Sequence, residues 1–492
     1  MTDRVNSENI HIGGYGIDYA DTQYSRFNWN RKRKRQNLVK KRIPIKLKSP
    51  TTDPYVFSLP ANATRWTDLQ STIIQGRLRI KHKDGTDVSE TENFSVVNCL
   101  YQALWRQVGI AINGHEFEDT STRVYGHKAF LNMLFNISQR YKDLVLSDNQ
   151  SWCLDTGTST SLVETTPHAT LKEEEEEEEA VLKIMDDANP ATVKETKKVK
   201  ITRKRAKRVP VTGYNPGYVT RRNGLMKGGW MEFHVPLQHD LCTTENVFPP
   251  GCRIDFTLHR SDDDFCIIKD AANTANDYMI ELDNVHLLVH QIDASDMVNG
   301  LYKSITSPYT TIRRNVLKYY MAKQDAVDIG TSGFASMTQL PEQVYVTFIE
   351  QNAFYGSATT NPFDLEFMRF DEACLVIDGE NFPSRPYVTG KDTGKLEAYM
   401  NFLYSTGMAP MSDECVPISP KMWGSHCFVL AFDRSLDGQN GYYANPPTVG
   451  TMDLNLKLTQ PLRQNMIVLI YCSYVQDVTF DNGELVVKKV GL

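Results

Sequence analysis

No run of about 18 apolar residues occurs anywhere in the 492-residue chain, so no segment is expected to cross a bilayer as a helix. The first residues lack the apolar core of a signal peptide, and the chain is expected to be soluble and not exported by that route. The nine cysteines stand singly between Cys99 and Cys472, with no C-x-x-C pair. That excludes a zinc-ribbon or dithiol motif and fits a reducing compartment. A formal net charge of −6 is small for this length, so overall charge names no partner.

Catalytic motifs are equally scarce. Gly390 to Lys395 resembles a phosphate loop but has one residue too few between its glycines, and Leu396 stands where Ser or Thr would hold magnesium. Gly330 to Gly333 lacks the spacing of a nucleophile elbow, and the glycines from His11 to Gly16 follow no strand. Asp262, Asp263 and Asp264 can be read as a cation site or as a solvated loop. His234 and His239 flank Pro236 at a spacing that suits no helical metal pair. The expectation is a protein that is not an enzyme and needs no cofactor or metal.

What the chain does contain is a repeat. Lys128-Ala-Phe-Leu-Asn-Met-Leu-Phe135 is answered by Glu397-Ala-Tyr-Met-Asn-Phe-Leu-Tyr404, 269 residues later. Val108 to Gly114 is answered by Ala373 to Gly379 at 265 residues, each an alternating apolar strand closed by a turn dipeptide. Phe233 to Leu237 with Leu241 matches Phe428 to Phe432 with Leu436 at 195 residues. Pro249-Pro250 followed by Asp255-Phe-Thr-Leu258 matches Pro446-Pro447 followed by Asp453-Leu-Asn-Leu456, at 197 and 198. Four matches in one order indicate a duplicated module, and the drop in offset marks an insertion in the first copy.

The module reads as β-rich. Short alternating segments punctuated by Gly and Pro recur in both halves: Tyr55 to Leu59, Thr72 to Ile80, Trp230 to Leu237 and Arg253 to His259, then Val344 to Ile349, Met452 to Leu458 and Met466 to Tyr474. Asn113-Gly114 and Asp378-Gly379 supply the positive-φ residues that a primed hairpin turn requires. The helical spacing of Phe130, Leu131, Leu134 and Phe135 predicts an amphipathic helix capping each sandwich. The fold class is therefore all-β, two tandem sandwiches with short accessory helices.

Three segments are delimited by composition. Residues 1–50 form an arm mixing aromatics with Arg31, Lys32, Arg33, Lys34 and Arg35, followed by Lys40, Lys41 and Arg42. Such a run reads as a nuclear-import signal, a polyanion contact or a solvated tail. Residues 51–295 form the first sandwich and 296–492 the second. Within the first, residues 156–211 run from Glu173 to Glu179 and then turn basic at Arg203, Lys204, Arg205, Lys207 and Arg208. Like-charge blocks repel themselves, so this insert is expected to be disordered, its basic end being a second import signal or merely an exposed loop.

Gly76 to Gly85, Val97 to Trp105, Val108 to Gly114 and Tyr125 to Leu134 resemble the first half of the hexon-like, double jelly-roll major capsid proteins of polintons, adintoviruses and adomaviruses. Asn361 to Phe367, Asp378 to Pro383, Ala398 to Leu403 with Thr406-Gly407, and Phe432-Asp433 with Asp437 resemble the second half. The resemblance runs from about residue 50 to 480 and leaves out the arm and the Glu-rich insert.

It implies two eight-stranded jelly rolls and a homotrimer whose six lobes tile an icosahedral shell around a double-stranded DNA genome. The implied partners are neighbouring trimers, penton or vertex and minor capsid proteins, weak genome contact through the arm, and a host nuclear import receptor. The implied locations are the virion capsid and, during assembly, the host nucleus. A vertex or minor capsid subunit and a tandem β-sandwich carbohydrate-binding protein are the alternatives.

Overall fold

Alternation of apolar and polar residues lays down sixteen strands that build two lobes in the computed structural model. The structure describes residues 39–47, 53–89, 92, 94–117, 123–137, 142, 152, 155, 171–186, 189–208, 215–225, 229–243, 247–269, 277–293, 309–323, 328–331, 336–337, 339–390, 395–406, 418–435, 448–481 and 484–487. Lobe 1 contains β1 (Val39–Lys46), β2 (Tyr55–Leu59), β3 (Arg65–His82), β4 (Trp105–Ile112), β5 (His115–Glu116), β6 (Met231–Pro236), β7 (Ile254–Arg260) and β8 (Tyr278–Asp293). Lobe 2 contains β9 (Tyr309–Met321), β10 (Asp328–Thr331), β11 (Gln343–Glu350), β12 (Phe370–Ile377), β13 (Glu380–Tyr387), β14 (Leu430–Asp433), β15 (Gly450–Leu458) and β16 (Met466–Asp481).

In lobe 1 the sheets run β1-β8-β3-β6 and β2-β7-β4-β5. In lobe 2 they run β9-β16-β11-β14 and β10-β15-β12-β13, which is the same order shifted by eight strands. First pairs with last, second with last but one, and the fourth and fifth form a hairpin. That wrapping is the jelly roll. The short pairs Phe94–Val96 with Ile267–Lys269, Ser336–Met337 with β15, and Glu484–Val487 with β16 are additions to it.

The apolar alternation fills the space between the sheets. Ile254, Phe256 and Leu258 of β7 point inward, as do Met452, Leu454, Leu456 and Leu458 of β15. Each fully buried side chain of this size contributes about 1.5–3 kcal/mol. Asn113-Gly114 turns β4 into β5 with φ of 52° and 86°, and Asp378-Gly379 turns β12 into β13 with 50° and 88°. Both are therefore primed turns, whose twist matches that of the strands they join.

Two sequence expectations change. The arm was bounded at residue 50, yet Val39–Lys46 is already the edge strand of lobe 1, paired with β8 from Val39↔Asp293 to Lys46↔His286. Ile45 is buried, Lys40 reaches the buried Asp68 at 3.0 Å, and Lys41 reaches Asp293 at 2.8 Å. One apolar anchor and these pairs suffice to hold the strand. Its exposed cations and Pro44 also suit a sheet edge, since they discourage pairing with stray strands.

The insert, expected to be disordered, contains an antiparallel hairpin of Leu171–Asp186 with Asn189–Arg208. Its register sets Glu174 opposite Arg205, Glu175 opposite Lys204, Glu176 opposite Arg203 and Glu179 opposite Lys200. The register thus sets the acidic block of one strand opposite the basic block of the other. Lys207 and Arg208 lie opposite Lys172 and Leu171.

Candidate functional site

The most extensively built feature outside the two cores is the junction between the lobes. Helix α1 (Tyr125–Asn136) lies between β5 and β6, and its buried residues run from Tyr125 to Phe135 on every side. A helix buried all round needs two partners. The expected amphipathic cap is thus corrected: α1 has one face on lobe 1 and the other on lobe 2.

Its lobe 2 face is aromatic. The ring of His127 stacks on Phe354 of α3, numbered after α2 (Pro216–Gly224) and spanning Gln351–Tyr355, at 4.8 Å, with Phe265 and Phe363 edge-on at 5.5 and 5.6 Å. A ring nitrogen lies 3.2 Å from the Pro362 carbonyl oxygen. Burial lowers the His127 pKa to about 3, with the Lys318 charge acting in the same direction, so the imidazole is neutral. Phe130 stacks on Phe363 at 4.8 Å. Phe135 meets Tyr345 of β11 at 4.9 Å and Phe402 of α4 (Lys395–Ser405) at 6.0 Å.

Two lobe 1 aspartates, each ion-paired within lobe 1, reach across the same boundary. Asp240 of lobe 1 accepts from Lys128 Nζ at 3.0 Å and from the Arg314 backbone N–H of β9 at 2.8 Å, with the Arg314 guanidinium 3.8 Å away. Neighbouring His239 is buried, and its pKa falls to about 3; Lys128 adds to that fall and Asp240 opposes it. At the second crossing Asp155 accepts from the fully buried Arg221 of α2 at 2.8 Å and from Asn361 at 3.2 Å, while a ring nitrogen of His426 lies 2.7 Å from its carbonyl oxygen. Arg221 also donates to the Val96 carbonyl at 2.9 Å, so each charge has several partners. Such pairs add little stability over an apolar contact, yet they fix one geometry because losing either partner strands a buried charge.

The junction explains an oddity of β16. Met466 to Cys472 are buried without alternation, and on the face away from the sandwich interior Tyr471 meets Tyr345, which in turn meets Phe135 of α1. The corresponding outer face of lobe 1 is polar. There Arg77 pairs with Asp283 and Arg79 with Glu281 across β3 and β8, and Trp230 lies 4.8 and 4.4 Å from the two guanidinium carbons. Ion pairs this open contribute little on their own.

The residues singled out from sequence are dispersed. Arg31, Lys32, Arg33, Lys34 and Arg35 lie outside the described residues, and Arg203, Lys204, Arg205, Lys207 and Arg208 form the basic strand of the insert hairpin. Asp263 ties a local helical turn to β8, accepting from Arg260 and from the Ile280 N–H, and burial raises its pKa. Gly390 packs where a Cβ would sit 1.9 Å from Thr459 Oγ1, which is a packing role. Among the described residues no three His, Cys, Asp or Glu side chains converge as a metal site. Sequence reading missed Lys128, Asp155, Arg221 and Asp240; a lysine on the apolar stripe of α1 was the one available signal.

No protein-family model matches the chain, and no curated protein matches its sequence. Solved structures do. A chain of the Sputnik virophage, seen by cryo-electron microscopy, aligns with a TM-score of 0.50 at 11% identity, covering 93% of this chain and 89% of its own. The Faustovirus major capsid protein aligns with a TM-score of 0.51 at 10% identity, covering 94% of both chains. At such identity the likeness is one of fold, and it spans both lobes: the chain is a double jelly roll.

Proposed function

We propose that this protein is the major capsid protein of a double-stranded DNA virus or virus-like element. The observation that carries the reading is the fusion of two jelly rolls of identical strand order through a buried aromatic junction that Asp240 and Asp155 bridge to Arg314 and Asn361. A subunit so built is a rigid block with two similar lobes, and three such blocks around an axis present six similar lobes, the shape that tiles a flat facet. The likeness to the Faustovirus major capsid protein over 94% of both chains supports it. A vertex subunit needs only one lobe.

The finer reading keeps the polinton, adintovirus and adomavirus kind as source, the trimer as building unit, and penton and minor capsid proteins as partners. It also keeps assembly in the host nucleus, with Arg31 to Arg35 serving import or weak genome contact. Negative-stain imaging of the purified chain tests it: pseudo-hexagonal trimers are expected, and monomers at all concentrations would overturn it. Turnover or glycan binding by the isolated protein would favour the tandem-sandwich alternative.

A further inference from the structure

Leu396 and Tyr404 are the most conspicuous apolar side chains of α4, 66% and 54% exposed. The 269-residue offset that relates α1 to α4 makes them the counterparts of His127 and Phe135. α1 buries both of these in lobe 2, on Phe354 and on Tyr345, with Phe130 on Phe363 between them. Lobe 2 therefore carries a second copy of the junction helix, with the counterparts of its two terminal contacts left open, while Tyr399, counterpart of Phe130, is buried on Trp423.

The surface that α1 covers has a counterpart too. On lobe 2 it is a row across the sheet, Val316↔Tyr471↔Tyr345↔Ala431. The matching row on lobe 1 is Pro44↔Leu288↔Ile73↔Pro236, since Pro236 precedes Ala431 by the 195-residue offset of that strand. Both rows are largely apolar. On lobe 1 Pro44 is exposed and Ile73 half-buried, and the strands around them carry the polar face described above. Two positions before Pro44 in the same strand stands the exposed Arg42, register counterpart of Arg314, which meets Asp240 at the junction. On α4 the counterpart of Lys128 is Glu397, also exposed. The charge has changed sign, so α4 itself brings the carboxylate that Asp240 supplies at the junction.

Each chain thus holds one closed junction and the two unjoined halves of another, helix on lobe 2 and sheet on lobe 1. Surfaces of this head-to-tail kind join different copies, and they close into a ring when the rotation permits. We infer that α4 of one copy docks on the outer face of sheet β1-β8-β3-β6 of a second copy. There Tyr404 lies over the Pro44, Leu288 and Ile73 row, Leu396 beside it, and Glu397 pairs with Arg42. The inference rests on the oligomeric reading above and names the surface and partner that reading lacks.

Sedimentation and light scattering on the full chain test it. Tyr404→Glu is expected to weaken self-association roughly tenfold or more, as loss of a central aromatic anchor does. Because Tyr404 is exposed in the single chain, its far-ultraviolet spectrum and monomer unfolding should not change. Glu397→Arg and Arg42→Glu should each weaken association and together restore it. With Tyr404→Cys and Ile73→Cys combined, oxidation should link different chains.

If oligomers form undiminished in Tyr404→Glu, the charge swap shows no rescue and the cysteines do not link, the docking face is wrong while the shell reading stands. If the unaltered chain never self-associates, both fail.

Discussion

The Asp378 backbone N–H donates to the Thr451 carbonyl at 3.0 Å, and the Thr451 N–H returns a bond to Asp378 Oδ1 at 2.8 Å. Lobe 1 repeats the clasp, with Asn113 N–H on the Arg253 carbonyl at 2.9 Å and Arg253 N–H on Asn113 Oδ1 at 2.8 Å. An Asn and an Asp thus perform one task at equivalent turns, because either side chain tolerates positive φ and offers an oxygen to the neighbouring strand of the sheet. Asp378→Ala and Asn113→Ala are each expected to cost about 1 kcal/mol through the lost bond. In a chain that unfolds in one transition, that corresponds to about 1 °C in the melting midpoint. Calorimetry in which one substitution is silent and the other costly would refute their equivalence.

Both hairpins are legible in the amino-acid sequence. The repeated Val108 to Gly114 and Ala373 to Gly379 segments placed both hairpins, because the αL requirement leaves a local residue signature. The junction left almost none. Asp155 meets Arg221 and Asn361, and Asp240 meets Lys128 and Arg314, across separations that no periodicity records. The hairpin in the insert was legible only as two blocks of charge, since their complementarity appears once the register is known. Pro44 and the cations around it concealed β1, which ordinary strand propensity would not select.

Asp155→Ala should test the coupling of the lobes. It leaves the buried Arg221 guanidinium without its carboxylate, at about 3–5 kcal/mol. It also removes an acceptor of Asn361 in lobe 2. A single calorimetric transition is expected to fall in temperature and divide in two as the lobes unfold separately. An unchanged, single transition would show that the aromatic contacts and the Asp240–Arg314 bridge hold the junction without Asp155.

Acid should loosen the same junction. His127 and His239 have folded-state pKa values of about 3, below the ordinary value near 6.5, because burial excludes the charged form. Between those values the unfolded chain binds more protons than the folded one, so stability is full above about pH 6.5 and declines as pH falls toward 3. The slope is about 1.4 kcal/mol per pH unit for each histidine. Replacing His127 with Phe, in its aromatic surroundings, should roughly halve the loss between pH 6.5 and 4.5. Urea titrations across that range decide it; parallel curves for the two proteins would remove His127 as a cause.

The insert hairpin should be sensitive to salt and dispensable for folding. Facing blocks of opposite charge weaken when the screening length drops to about 3 Å at 1 M salt. Amide-exchange protection across Leu171–Asp186 is expected to fall several-fold between low and high salt. Changing Glu174, Glu175 and Glu176 to Lys should have the same effect at low salt. Deleting residues 156–211 with a short Gly-Ser joint should leave self-association intact, since loop length changes closure entropy only weakly. Lost association after that deletion would make the insert an assembly element.

The basic run Arg31 to Arg35 precedes β1, whose own cations Lys40 and Lys41 are already paired with Asp68 and Asp293. Lys40 and Lys41 thus have a structural role in the sheet edge. Five contiguous cations suit an import receptor before assembly, and they suit a polyanion after it, each phosphate contact releasing about one counterion. The two roles part experimentally. Changing Arg31, Lys32, Arg33, Lys34 and Arg35 to Gln should leave the oligomer of the purified protein intact and move a fluorescent fusion from nucleus to cytoplasm. A polyanion role predicts instead unchanged import and a DNA affinity whose salt dependence flattens. Nuclear accumulation that survives this change and neutralisation of Arg203, Lys204, Arg205, Lys207 and Arg208 together would reject import for both runs.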